Sequence, residues 1–178
     1  MERRAKSVNG STGSINLFTQ EPQSQIMPVT SSDLVWIQVP VAVDSGCCRH
    51  VTPNGVFCMV PTPNEGSRNK QNFYGAGGDP IACLGGVEAN GVSDASDKVR
   101  LNFEVCNITR PLASVHEMME NGNDVVFSKT KGSYILCVAT GKKIPLRQEN
   151  KLFFLDIWVQ VPPELAKQNP FARQSEAK

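Results

Sequence analysis

Apolar and polar residues alternate in strict period two through Val99, Leu101, Phe103 and Val105, with Arg100, Asn102 and Glu104 between them. That spacing predicts a strand with one face buried. Other apolar runs also read as strands. Leu34 to Val39 is interrupted by Pro40 and resumes over Val41 to Val43, so the proline predicts an edge position or a bend. Val56 to Val60, Asp124 to Ser128, Ser133 to Ala139 and Leu152 to Gln160 are further strand segments. Polar stretches at Pro61 to Lys70, Gly85 to Asp97 and Arg147 to Lys151, with the turn Thr140 to Lys143, read as connections. One segment has helical signals. Ser114-Val115-His116-Glu117 has the form of a capping box and Gly122 supplies a C-cap, which predicts a short helix from Val115 to Asn121. The expected class is mainly β with one short helix.

The two ends break this pattern. Residues 1–32 are rich in Ser, Gln, Asn, Gly and Pro without apolar periodicity, and residues 163–178 turn polar and charged again after Val161-Pro162-Pro163. Both are expected to be disordered, a linker and a tail around a folded domain at 33–162. In a chain of 178 residues with 40% apolar and 20% charged content, one core can form. The formal charge of +1 provides no long-range field, so neither nucleic acid nor an anionic membrane is an expected partner. No apolar run is long enough for a membrane span, and the charged N-terminus is unlike a secretory signal, so an intracellular protein is expected. The six cysteines sit mostly in apolar runs without a repeated C-x-x-C spacing and read as buried free thiols. Cys48 and His50 beside Cys47 offer the start of a zinc site or a thiolate nucleophile, but no second Cys/His cluster completes four ligands. Neither metal nor cofactor is expected.

The chemistry concentrates at Val41-Ala42-Val43-Asp44-Ser45-Gly46, where an apolar strand ends in a carboxylate, a hydroxyl and a glycine free to take positive φ. Such a turn presents half of an aspartic protease's catalytic pair. Peptide hydrolysis of this kind needs two carboxylates sharing a proton, because like charges at hydrogen-bond distance cannot both ionise. No second Asp-Ser/Thr-Gly occurs in the chain, so the second carboxylate must come from a second copy, with Asp44 near a two-fold axis. Ser45 is expected to hold the turns in register through its hydroxyl, and Gly46 to let the backbone turn beneath the carboxylate. Downstream, Phe73 to Ile81 carries three glycines in four residues. It reads as a mobile hairpin tip and not as a phosphate loop, since no Lys-Ser/Thr follows. In a protease this hairpin would close over substrate.

Three blocks in order, Asp44-Ser45-Gly46-Cys47-Cys48-Arg49-His50-Val51-Thr52-Pro53, the Ala76 to Gly78 hairpin, and Ile108-Thr109-Arg110-Pro111-Leu112-Ala113-Ser114-Val115 with Met118, Gly122 and Val125-Val126-Phe127, resemble the protease of copia-type retrotransposon polyproteins, a retropepsin relative. The resemblance covers nearly all of the expected folded region. It implies a closed retropepsin-like β barrel of six to seven strands with a flap hairpin and one short helix, active as a homodimer. It also implies an endopeptidase that processes a retrotransposon polyprotein, in the cytoplasm or in virus-like particles, binding its peptide substrate extended. Asp44 would be catalytic, supported by Ser45 and Gly46. Tyr74, Ala76, Gly77, Gly78 and Asp79 of the flap, with Leu112 and Ala113 of the second apolar loop, would contact substrate. Two positions depart from the pattern: Cys47 stands where the family usually has Ala, and Ser114 where retroviral relatives have Gly. The alternative is a catalytically silent peptide-binding or assembly module on the same fold. A cysteine hydrolase using Cys47 or Cys48 with His50 ranks behind both.

Overall fold

The computed structural model describes residues 34–70, 72–75 and 77–171, together with the backbone of residues 173 and 174; the N-terminal segment expected as a linker lies outside the described residues. In chain order the elements are β1 (Val35–Asp44), β2 (Val51–Thr52), α1 (Glu65–Arg68), β3 (Asn72–Tyr74), β4 (Pro80–Ser93), β5 (Lys98–Cys106), β6 (Leu112–Ser114), α2 (Val115–Glu120), β7 (Asn123–Val126), β8 (Tyr134–Cys137), β9 (Lys143–Pro145), β10 (Arg147–Glu149), β11 (Leu152–Val161), α3 (Pro163–Gln168) and β12 (Arg173–Gln174). The chain is therefore mainly β. It has more elements than the six to seven strands and single helix expected, with twelve strands and three short helices among the described residues.

The main sheet runs β10-β11-β1-β6-β2-β5-β4-β3, and β4 also pairs with β11 through Ile157↔Ser93 and Trp158↔Val92, so the pairings form a ring. A separate sheet, β7-β8-β9, follows α2. Ile37, Val39 and Val41 on β1, Phe103 and Val105 on β5, and Leu155, Ile157 and Val159 on β11 point inward and are almost wholly buried. Burial of each such side chain contributes about 1.5–3 kcal/mol, which makes this inward face the main source of stability. Beside it, the buried Asp156 carboxylate on β11 is held by two hydrogen bonds from the Arg147 guanidinium on β10, at 2.5 and 2.8 Å. Arg147→Ala would leave that carboxylate buried and unpaired. An expected loss of about 3 kcal/mol, at the low end for a broken buried pair because Arg147 is partly exposed, is measurable by chemical denaturation.

Several segments differ from the sequence expectation, each for a local reason. Gly85 to Asp97 is mostly strand, not loop: β4 extends to Ser93 and pairs with β5 from Cys83↔Cys106 to Val92↔Lys98, with an irregularity between Cys83 and Gly85. Gly85 and Gly91 sit where other backbone comes close; a Cβ on Gly91 would lie 2.3 Å from the Trp158 carbonyl oxygen. Val56 to Val60 is turn followed by irregular chain, not strand: Gly55 takes φ +81° and its carbonyl accepts a hydrogen bond from the Cys58 N–H at 3.0 Å. Within Pro61 to Lys70, Asn64 and Ser67 form a reciprocal capping box that starts α1. Arg147 to Lys151 is a tight hairpin whose corner residues Asn150 and Lys151 have positive φ. Part of the segment expected as a tail at 163–178 is regular structure: Pro163 starts α3, Ala166 is buried in the core, and residues 173 and 174 pair with β1. The cysteines are all free but not uniformly buried, since Cys48 is exposed and only Cys83 and Cys106 are buried. No helix among the described residues is long and apolar enough to cross a membrane.

Candidate active site

Asp44 is the last residue of β1, half-buried at the point where the sheet changes neighbours. Up to Ala42, β1 is paired with β11; from Ala42 onward it lies parallel to β6, with Ala42↔Leu112, Val43↔Ala113 and Asp44↔Ser114 in register. β6 in turn meets β2 in antiparallel fashion at Val51↔Leu112. The turn at residues 45–50 therefore joins β1 to β2 around an inserted strand. Apolar β1 residues anchor the turn from below, and its polar groups must find partners among themselves or on β6 and α2.

They do so through a compact network. The Gly46 N–H donates to Asp44 Oδ1 at 2.8 Å. Gly46 does not use positive φ, contrary to expectation, and a Cβ there would sit 3.4 Å from that same oxygen, at ordinary van der Waals contact. The Ser114 hydroxyl donates to the Cys47 carbonyl at 2.5 Å and accepts from the Glu117 N–H at 3.1 Å. The second half of the expected capping box is replaced. Glu117 accepts from the His50 N–H at 2.6 Å and pairs with Arg49 at 3.3 Å, while the Ser114 N–H donates to His50 Nδ1 at 2.9 Å. The Ser45 hydroxyl is exposed and has no hydrogen-bond partner among the described residues.

Asp44 and Ser45 line a cleft of about 530 Å³ together with Ala42, Val43, Arg110, Leu112, Phe127, Leu152 and Phe153. Phe127 and Phe153 pack against each other as tilted rings, with centroids 4.7 Å apart, and give it an apolar wall. Arg110 is exposed and has no ion-pair partner among the described residues. A cleft with one carboxylate, one guanidinium and aromatic walls is suited to hold a peptide side chain beside the carboxylate.

The glycine-tipped segment is a hairpin as expected. β3 pairs with the start of β4 through Phe73↔Ile81 and Tyr74↔Pro80, and the tip closes by Gly75 N–H to Asp79 O at 3.1 Å. Gly78 supplies the positive φ of +83°. Gly77, Gly78 and Asp79 are exposed at the tip, Tyr74 is 72% exposed, and Ala76 lies outside the described residues. The β3 strand lines a second cleft of about 770 Å³ with Cys48, Arg49, His116, Glu117, Glu120 and Asn121. In one chain, then, the expected site residues fall into separate groups. Leu112 shares the cleft of Asp44, Tyr74 belongs to the neighbouring one, and Ala113 is wholly buried in the core with no surface to offer a substrate.

The cysteine alternatives find little geometry. Cys47 Sγ donates to the Arg49 carbonyl at 2.8 Å, and burial outweighs the lowering effect of that bond and, with a smaller push from the Asp44 charge, raises the thiol pKa, away from a thiolate. His50 Nδ1 is engaged by backbone. Burial pushes the Cys106 thiol further, to about 12. Among the described residues no group of three or more His, Cys, Asp and Glu is placed to hold a metal ion. The places of Phe127, Leu152 and Phe153 in the cleft and the roles of Arg110, His50 and Glu117 in this network were not indicated by sequence reasoning, although Phe127, Arg110 and His50 stand in the blocks that carry the resemblance and Ser114-x-x-Glu117 marked the helix start. Comparison of the chain with protein-family models, curated proteins and solved structures found no match.

Proposed function

We propose that this protein is an aspartic endopeptidase built as one subunit of a homodimer on a closed retropepsin-like β barrel, with β3 and β4 as its flap. The observation that carries the reading is the placement of Asp44: a half-buried carboxylate at a strand end, oriented by the Gly46 N–H and opening into a cleft with aromatic walls. The Ser45 hydroxyl beside it, which has no hydrogen-bond partner among the described residues, suits a bond to the same turn of a second copy. In the dimer, water between the two Asp44 carboxylates attacks the scissile carbonyl. One carboxylate takes a proton from that water and the other, protonated, donates to the carbonyl oxygen. The substrate is an extended peptide, and the resemblance supports a retrotransposon polyprotein processed in the cytoplasm or in particles.

Incubation of the full chain with a mixed peptide library, at concentrations that permit dimers, tests the reading. Cleavage is expected, blocked by a peptide carrying a hydroxyl-bearing isostere of the tetrahedral intermediate and unaffected by thiol alkylation. Binding of peptides without cleavage at any pH would instead assign the silent module.

A further inference from the structure

His50 is 4% exposed and contributes three polar groups to three different elements. Its N–H donates to Glu117 Oε2 on α2, its carbonyl accepts from the Glu104 N–H on β5 at 2.9 Å, and its Nδ1 accepts from the Ser114 N–H at the β6–α2 junction. Ser114 is the register partner of Asp44 and is itself bonded to the Cys47 carbonyl of the same turn. The ring thus fastens the strand beside Asp44 to the segment that follows Asp44. An acceptor Nδ1 requires the neutral ring with its proton on Nε2. Protonation would put an N–H against the Ser114 N–H, two donors face to face in a buried site, and the fastening would open.

We infer that His50 is a positioning residue for the Asp44 turn, and that its protonation releases Ser114 and switches the site off on the acid side. This rests on the reading of Asp44 as catalytic. Charged groups face the ring from two directions. Glu117 Oε2 on α2 is 3.8 Å from Nε2 and favours the cation, but that carboxylate is already shared with Arg49 and the His50 N–H. Arg49, on His50's own segment, opposes the cation; from β5 the neighbour is the uncharged Phe103 ring, with centroids 5.8 Å apart. The Glu104 side chain is turned to Asn64 and Cys83. Burial is the largest influence and lowers the His50 pKa below its ordinary value, so the unfolded chain binds the proton more readily than the folded one. The stabilisation is therefore complete above about pH 6.5, the unfolded value, and is lost as pH falls through the lower folded value.

His50→Gln keeps an oxygen acceptor for the Ser114 N–H but does not titrate. Below the folded pKa, wild-type cleavage is expected to fall roughly tenfold per pH unit, and this limb should be absent from His50→Gln. Two measurements on the full-length wild type need no activity. Nitrogen-15 NMR at pH 7.5 should show a bare Nδ1 and a protonated Nε2 on His50, and acidification should lower the unfolding temperature more steeply than in His50→Gln. Superimposable pH profiles of stability in the two proteins, or a proton on Nδ1 at pH 7.5, would overturn the inference. Loss of all cleavage at every pH, with the NMR and stability results as expected, would instead count against the protease reading alone.

Discussion

Asp44→Asn is expected to reduce peptide cleavage by about a thousandfold or more while leaving the fold in place. The reasoning separates the two functions of one carboxylate. Its oxygen accepts the Gly46 N–H at 2.8 Å, and an amide oxygen can keep that bond, so the turn should persist and the unfolding temperature should barely move. An amide cannot share a proton or take one from water, so the acid/base chemistry of the pair is lost; positioned acid/base groups contribute about 10²–10⁴ each. The measurement pairs initial rates with thermal unfolding on the same preparation. Cleavage at the wild-type rate would remove Asp44 from the mechanism, whatever the stability shows.

Gly91→Ala is expected to destabilise the fold strongly. Gly91 lies on β4 next to its seam with β11, where an added Cβ would meet the Trp158 carbonyl oxygen at 2.3 Å, Ile157 Cγ2 at 2.7 Å and Val159 Cγ1 at 3.0 Å. Backbone cannot step aside as a flexible side chain can, so the two strands must separate. Overpacking of this kind costs about 3 kcal/mol, which in a chain of this size lowers the unfolding temperature by roughly 10 °C. Gly75→Ala is the control, since its nearest contact would be Ile81 Cδ1 at 3.6 Å and its φ is not positive. Its effect should stay within about 0.5 kcal/mol.

The same glycine explains much of what the sequence concealed. β5 was legible because Val99 to Val105 alternates cleanly, and α2 because Ser114 and Gly122 flank it with capping chemistry. β4 was not, because Gly85, Gly86 and Gly91 read as turn residues, whereas in the fold they give room to Thr62, Asn64 and Trp158, which arrive from elsewhere in the chain. α3 was hidden by the two prolines at its start, Pro162 at the N-cap and Pro163 in the first turn, which mark a chain break as readily as a helix start. At the site, the carboxylate at a strand end and the glycine-tipped hairpin could be read locally. The link from His50 to Ser114 could not, since the partners are 64 positions apart. Neither could the pairing of Phe127 with Phe153, which depends on β11 lying next to β1 and on a chain segment beyond β7 reaching it. Local pattern carries strand and cap; it does not carry which strands become neighbours.

The central claim is that each molecule supplies one carboxylate and that two molecules make one site. Titration of wild-type protein with increasing Asp44→Asn protein, at a fixed total concentration where the chain is dimeric, tests it most directly. Mixed dimers would hold a single Asp44, so activity should fall as the square of the wild-type fraction, to about a quarter at an equal mixture. A linear fall, with half the activity left at that point, would mean that one chain cleaves alone and would contradict the account.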